Sequence, residues 1–249
     1  MEKGMYGMIQ ISHVTKQFGE RCAVDDLNLS ITRGECFAFL GPNAAGKTTT
    51  IKLLTGLLRP TRGEVHIGGY NVHENYINAK RLIGYVPDVP YLYEKLTPRE
   101  HVRFILDLYG INNGERITFS EQLFAHFSIT EYGDTLVSDL SHGTRQKVVF
   151  VCTFIHNPKV IIVDEPMVGL DPESVRKVKN MMREKTQEGC TIFMSTHTLS
   201  DAEELADRIG IIDKGKLIAV GTLDELKQKS GIIGKLEEVF LTLTHEGLP

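Results

Sequence analysis

The chain has 249 residues, enough for one large α/β domain or two small ones with a substantial core. Hydrophobic residues make up 41% of the sequence and charged residues 24%, which excludes a disordered or fibrous protein. The formal net charge of -4 provides no general attraction to nucleic acid, so no nucleic-acid partner is expected. The sequence shows no apolar signal core at its start and no hydrophobic stretch of membrane-spanning length, which predicts a cytoplasmic chain.

The predicted elements begin with strands. Residues 8–31 alternate polar and apolar side chains on either side of Gly19, which predicts an antiparallel pair at the edge of the fold. An apolar run at residues 36–40 predicts a buried strand, followed by a Gly/Pro turn and a helix. The apolar residues expected on that helix are Ile51, Leu54, Leu57 and Leu58. Apolar runs at residues 160–163 and 191–195 predict two more buried strands in a parallel sheet with helical crossovers.

A different pattern fills the middle of the chain. Helical periodicity dominates residues 98–156 and predicts an inserted helical subdomain that begins at about residue 92. Two apolar runs in residues 208–220, on either side of an Asp-Lys-Gly-Lys turn, predict a hairpin. Residues 222–249 predict a short helical tail. The four cysteines form no closely spaced pair, and most are expected to be buried free thiols.

Residues 41–48, GPNAAGKT, match the phosphate-loop pattern G-x-x-x-x-G-K-[ST]. In such a loop, backbone N–H groups and the dipole of the following helix converge on a phosphate group. Lys47 adds a positive charge, and the Thr48 hydroxyl can bind Mg²⁺. The strand before the loop and the helix after it are what the motif requires, so the sequence predicts a P-loop NTPase core. The nucleotide-binding residues expected here are Gly41, Pro42, Asn43, Ala44, Ala45, Gly46, Lys47, Thr48 and Thr49.

Two adjacent carboxylates end the apolar run at residues 160–163. Because neighbouring strand residues point in different directions, Asp164 can hold Mg²⁺ through water while Glu165 faces the γ-phosphate. Glu165 can then polarise the attacking water. The structural alternative is an exposed acidic strand end, which becomes less favoured once Lys47 and Thr48 are assigned to the same site.

The order of these motifs resembles that of the ATP-binding subunits of ABC transporters, from about residue 9 to residue 221. The segment LSHGT is similar to the family signature LSGGQ, with Ser141 and Gly143 retained and with His142 and Thr144 replacing a glycine and the glutamine. The resemblance implies that Ser141, His142 and Gly143 bind the γ-phosphate of ATP held by the opposite subunit. An ordinary helix N-cap is the alternative role for Ser141.

Three further positions follow from the resemblance. Phe18 stands where the family has an aromatic residue that stacks on adenine, although a phenylalanine in a strand can equally belong to the core. Asp171 ends a Gly-Leu-Asp segment that resembles the D-loop at the dimer seam, and it also suits a helix N-cap. His197 matches the switch histidine that contacts the γ-phosphate. The implied catalytic residues are therefore Glu165, His197 and Lys47.

The sequence departs from the family pattern at two places in the expected nucleotide site. Ala44 replaces a glycine in the phosphate loop, where a Cβ restricts the backbone conformation. Asp88 replaces the glutamine that ligates Mg²⁺ and relays movement to the membrane subunit. As an oxygen ligand Asp88 remains a candidate for the metal, but it adds negative charge beside ATP.

Altogether, the expected fold class is α/β. It has a P-loop NTPase core with a mainly parallel sheet, an antiparallel β edge subdomain and the helical insertion, and the ATP-binding domain covers residues 8–221. The resemblance implies an ATPase that uses Mg²⁺ and drives transport through separate membrane-spanning permease subunits. It also implies a head-to-tail dimer with a second copy or a related ATPase subunit, peripheral at the inner face of the membrane.

The segment LEEVFL at residues 236–241 resembles the ends of exporter subunits, so export is the expected direction. The alternative function is a soluble ABC-type ATPase scaffold, such as an iron–sulfur assembly ATPase. A single-site P-loop kinase or GTPase would leave the signature and His197 unexplained, and the chain has no guanine-reading N-K-x-D motif.

Overall fold

The computed structural model describes residues 7–111, 113–232 and 234–245. The strands are β1 (Ile9–Phe18), β2 (Arg21–Ile31), β3 (Cys36–Leu40), β4 (Arg62–Ile67), β5 (Tyr70–Asn71), β6 (Ile83–Val86), β7 (Val160–Asp164), β8 (Thr191–Thr196), β9 (Arg208–Asp213) and β10 (Lys216–Gly221). The helices are α1 (Lys47–Leu54), α2 (Tyr76–Leu82), α3 (Pro98–Leu108), α4 (Gly114–His126), α5 (His142–Phe154), α6 (Pro172–Gln187), α7 (Leu199–Leu205), α8 (Leu223–Ser230) and α9 (Leu236–His245).

The larger sheet has six strands in the order β10-β9-β3-β8-β7-β6. The pairs from β9 to β6 are parallel, and β10 returns antiparallel to β9, which confirms the predicted parallel sheet and hairpin. Strands β3, β7 and β8 are buried along their whole length because the smaller sheet and α1 cover one face and further helices cover the other, which explains their continuous apolar runs. Parallel strands end at the same edge, so the segments that follow β3, β7 and β8 meet there.

The smaller sheet is antiparallel, with four strands in the order β2-β1-β4-β5. Its first hairpin turns at Gly19, as predicted, and Gly19 adopts a φ of 58° that glycine favours. Strands β4 and β5 were not predicted from the sequence. In β4 only Val65 and Ile67 are buried, which is too short an alternation to indicate a strand.

Helix α1 is shorter than the sequence predicts. It ends at Leu54, and Gly56 follows in the left-handed region with a φ of 70°, a conformation that terminates helices. Ile51 and Leu54 are buried as expected, but Leu57 lies beyond the helix and is 58% exposed. The predicted extension of the helix to Leu58 is therefore wrong.

Two hydrophobic clusters hold these elements together. One lies between the two sheets and around α1, and the other joins the large sheet to helices α3, α4 and α5 of the insertion. Aromatic packing in the insertion includes Phe127 against Phe150, with ring centroids 5.9 Å apart. Helices α8 and α9 pack against each other at the C-terminal end of the described chain.

Within the described residues, none of the helices combines the length and the hydropathy needed to span a membrane.

Cysteine burial follows the sequence expectation. Cys36, Cys152 and Cys190 are buried free thiols, and Cys22 is exposed. Burial raises the pKa of Cys152 to about 12, so its thiol remains protonated and chemically inert at neutral pH.

Candidate functional site

The phosphate loop connects β3 to α1 in close contact with neighbouring backbone. Gly46 has a φ of 114°, and a Cβ at this position would lie 2.5 Å from the carbonyl oxygen of Ala23. Only glycine fits both the conformation and the space. Ala44 also adopts a left-handed conformation, with a φ of 63°, so its side chain adds strain at the position where sequence comparison expects a glycine.

Lys47 begins α1 with its ammonium group directed back at the loop. Its Nζ donates to the carbonyl oxygens of Gly41 at 2.6 Å and Pro42 at 3.2 Å. The residue is only 8% exposed, and this burial lowers the pKa of Lys47, while Glu165 and Asp164 act in the opposite direction. The loop therefore holds a partly desolvated cation in position for an anionic ligand.

Asp164 ends β7 and is almost completely buried. The Ser195 hydroxyl donates to its Oδ1, while Oδ2 has no hydrogen-bond partner within residues 7–111, 113–232 and 234–245. Burial raises the pKa of Asp164, and the hydrogen bond from Ser195 and the nearby Thr48 hydroxyl oppose this effect. A buried carboxylate oxygen without a partner beside a threonine hydroxyl suits an oxygen-ligated cation such as Mg²⁺.

Glu165 follows in an unusual backbone conformation, with a φ of 50°. Its Oε2 lies 2.7 Å from His197 Nδ1 and accepts a hydrogen bond from the His197 backbone N–H at 3.3 Å. The Glu165 N–H in turn donates to Ser195 O at 3.2 Å. Residues in strained conformations concentrate at functional sites, and here the strain is held by contacts from β8.

These groups line one pocket with a volume of about 410 Å³. Its lining residues are Phe18, Arg21, Ala23, Pro42, Asn43, Ala44, Ala45, Gly46, Lys47, Thr48, Thr49, Asp88, Asp164 and Glu165. Of the other residues predicted for this site, Gly41 supports Lys47 through its carbonyl, and His197 contacts Glu165.

Three neighbours of this pocket were missed by sequence reasoning, namely Arg21, Ala23 and Ser195. None of the three belongs to a recognisable sequence motif. Strand pairing and packing bring them to the pocket, and these are not visible in a local pattern. Phe18 is 48% exposed in the pocket wall, which rules out the alternative that it is a core residue.

Residues 24–168 match the ABC transporter family. The chain belongs to this family. It is 34% identical over 224 residues to the linearmycin resistance ATP-binding protein LnrL of Bacillus subtilis (strain 168), covering 90% of this chain and 72% of LnrL. It is 38% identical over 213 residues to the SkfA peptide export ATP-binding protein SkfE of the same organism, covering 85% of this chain and 87% of SkfE.

Solved structures agree with this assignment. An ATP-binding subunit of an ABC transporter superposes with a TM-score of 0.91 at 33% identity, covering 95% of this chain and 99% of that one. The ATP-binding cassette MJ0796, dimeric in a post-hydrolysis state with ADP and Pi, gives a TM-score of 0.78 at 25% identity, covering 87% and 99%. The chain is therefore an ABC transporter ATP-binding subunit and an ATPase.

The segment that resembles the ABC signature lies outside the pocket of its own chain. Ser141 is the N-cap of α5 and accepts a hydrogen bond from the Thr144 N–H at 3.3 Å, so the N-cap alternative describes its local role. His142 packs beside Gly169, where an added Cβ would lie 2.8 Å from His142 Nδ1. A Cβ at Gly143 would lie 3.1 Å from the Gly169 carbonyl oxygen. The signature and the D-loop segment are thus in close contact within one chain.

Asp171 connects the same two segments. It is the N-cap of α6, with the Ser174 N–H donating to its carboxylate at 2.9 Å, and it forms an ion pair with Lys147 at 3.2 Å. Hydrogen bonds from Ser174 and the charge of Lys147 lower the pKa of Asp171 well below its usual range. Lys147 belongs to α5, so the ion pair links the start of α6 to α5.

Proposed function

We propose specific roles for the residues around the pocket in ATP hydrolysis. Lys47 binds the β- and γ-phosphates, and the backbone N–H groups of the loop surround the β-phosphate. Thr48 and the free oxygen of Asp164 hold Mg²⁺, with Asp88 as a further oxygen ligand. When bound, this ion neutralises phosphate charge. The observation that carries the proposal is the convergence of one buried cation, one buried carboxylate and Glu165 on a single pocket.

Glu165 is the proposed general base. Its carboxylate is anchored on one side by His197, which leaves Oε1 to accept a proton from the attacking water. His197 positions Glu165 and can donate to the γ-phosphate. The test is phosphate release by Glu165→Gln, which should fall about 100- to 10,000-fold while ATP binding remains. Glu184→Gln, an exposed substitution on α6, is the matched control. Undiminished turnover in Glu165→Gln would remove Glu165 from this role.

A second ATPase subunit completes the proposed site. Ser141, His142 and Gly143 stand at the N-terminus of α5, whose N–H groups and dipole favour a phosphate, yet none of them lines the pocket of the same chain. A head-to-tail pair, formed by two copies or by a related subunit, would bring this helix end to the γ-phosphate held by the partner. The dimeric ADP-bound neighbour supports such a pairing.

Export through separate membrane-spanning subunits is the proposed biological role. It is supported by the relatives, since SkfE is named for peptide export and LnrL for resistance to linearmycin. These names favour transport over an iron–sulfur assembly scaffold. Recovery of the tagged chain from detergent-solubilised membranes together with a multi-span protein would support the proposal. Recovery only in a soluble complex would favour the scaffold.

The surface proposed for the membrane subunit is an apolar groove of about 480 Å³ between α3, α5 and the end of β6. Tyr91 and Tyr93 line it and are largely exposed, as aromatic residues at protein interfaces often are in the unbound state. Pro87 lines this groove, and the next residue, Asp88, lines the nucleotide pocket. A partner bound in this groove would therefore contact the loop that carries Asp88.

A further inference from the structure

Arg21 occupies the outer end of the nucleotide pocket, opposite Phe18 at the tip of the first hairpin. The two residues form a cross-strand pair of β1 and β2. Paired residues of antiparallel strands project from the same face, with Cβ atoms about 4.5–5.5 Å apart. Both side chains line the pocket, so the guanidinium and the phenyl ring are neighbours in its wall.

The Phe18 ring has a lysine against it. Lys16 Nζ lies 5.0 Å from the ring centroid and donates to the carbonyl oxygen of Arg59 at 2.9 Å. This ammonium group interacts with the face of the aromatic ring. A base stacked on Phe18 would consequently lie at the hairpin tip, beside Arg21.

The backbone places Arg21 between that ring and the phosphate loop. The Ala23 carbonyl packs against Gly46, and Arg21 precedes Ala23 by two residues, so their Cα atoms are at most about 7 Å apart. An extended arginine side chain spans a similar distance. Lys47 instead lies at the inner end, held by Gly41 and Pro42. The two cations are therefore positioned for different parts of one nucleotide.

Charge also favours a ligand contact for Arg21. Among the described lining residues there are two cations, Arg21 and Lys47, against three carboxylates, Asp88, Asp164 and Glu165. The Arg21 side chain is exposed, and in the part of the chain that the structure describes it has neither a hydrogen bond nor an ion pair. The carboxylates cluster where Mg²⁺ is proposed, which leaves Arg21 as the cation near the nucleoside side of the phosphate chain.

We propose that Arg21 binds the α-phosphate of the nucleotide, next to a base stacked on Phe18. The planar guanidinium can donate two parallel hydrogen bonds to phosphate oxygens, which a lysine at the same position cannot do. This assignment rests on the proposed binding of ATP in this pocket. It makes Arg21 a determinant of affinity for di- and triphosphates that contributes nothing to the γ-phosphate contacts.

Calorimetric titrations with ADP and with inorganic tripolyphosphate, each with Mg²⁺, test the assignment. Tripolyphosphate has the phosphate chain without the nucleoside, and neither titration depends on hydrolysis of ATP. Arg21→Ala should weaken both ligands about tenfold, and Arg21→Lys should cause a smaller loss because it retains the charge without the fork. Arg62→Ala, an exposed arginine on β4 outside the pocket, is the control and should change neither affinity. Unchanged melting temperatures would show that the variants fold.

Several outcomes would overturn the assignment. A loss for ADP alone would place Arg21 on the ribose or base, and unchanged affinities for both ligands would remove it from the site. An equal loss of affinity in Arg62→Ala would show that the effect comes from general electrostatic attraction and not from a contact made by Arg21. Lys47→Met separates this inference from the proposed function. If Lys47→Met weakens both ligands and Arg21→Ala weakens neither, only the role of Arg21 fails, whereas no effect of either variant would contradict the pocket itself.

Discussion

Lys47→Met should abolish most ATP affinity while leaving the empty protein folded. Methionine is an unbranched, apolar replacement for the stem of the lysine side chain, and the substitution removes a cation that is only 8% exposed. The empty protein loses two hydrogen bonds to backbone carbonyls, but it also loses the cost of burying a charge. These effects oppose each other, so we expect the free energy of unfolding to change by about 1 kcal/mol or less.

The loss of affinity is larger because nothing opposes it. A charge-assisted contact with phosphate contributes up to about 3 kcal/mol to binding. Its loss raises the dissociation constant for ATP about a hundredfold. In thermal unfolding, this loss of affinity appears as a smaller rise in Tm on addition of ATP. At an ATP concentration one hundred times the wild-type Kd, binding stabilises the protein by about 2.7 kcal/mol and raises Tm by about 5–11 °C. With affinity reduced a hundredfold, the same ATP concentration contributes about 0.4 kcal/mol, or about 1 °C.

Lys52→Met provides the control, because Lys52 is an exposed lysine on the same helix. It should preserve the full increase in Tm with ATP. A Lys47→Met protein that also gains the full increase would refute the assignment of Lys47 to the phosphates. A variant that melts far below the wild type without ATP would instead show that Lys47 mainly stabilises the loop.

Three other predictions concern the metal, pH and backbone strain. Asp88→Gln should raise the Mg²⁺ concentration for half-maximal ATPase activity, because Asp88 lies close enough to Asp164 to raise its pKa; a fall would place Asp88 against the phosphates. Burial lowers the pKa of His156 from its usual 6.5, so stability should fall as the pH drops below about 6.5, where the unfolded chain takes up a proton that the folded chain resists. In urea unfolding at about pH 7.5 and about pH 5.5, His156→Gln should lose less stability than the wild type, and an equal loss would contradict this. Ala44→Gly should leave the free energy of unfolding unchanged or raise it by up to about 1 kcal/mol, whereas Ala45→Gly at the adjacent buried position should lower it; equal losses would show that the left-handed Ala44 is not strained.

Local patterns in the sequence predict the inner end of the pocket well. The phosphate loop depends on a strand, a turn and a helix that are contiguous in the chain, and Asp164 follows directly on an apolar strand. The parallel sheet then brings both to one edge. Lys47 and Asp164 therefore lie in the same pocket, as the sequence predicts.

The outer end of the pocket depends on packing between distant segments. Arg21 reaches it only because β2 pairs with β1 and then crosses the phosphate loop at Ala23. Ser195 was not predicted, because its hydrogen bond to Asp164 requires the exact pairing of β8 with β7. The predicted end of α1 was wrong because the apolar spacing continues past Gly56, whose backbone conformation terminates the helix.

The role of a second subunit is tested most directly by the mass of the protein in solution. Glu165→Gln retains the shape of the site while removing the proposed base, so ATP should accumulate unhydrolysed between two chains. Size-exclusion chromatography with light scattering should give the mass of one chain without nucleotide and of two chains with ATP and Mg²⁺. Adding Ser141→Arg should restore the mass of one chain, because the larger side chain would fill the γ-phosphate position of the partner. A single-chain mass for Glu165→Gln, at protein and ATP concentrations well above the ATP Kd, would contradict a site shared between two copies.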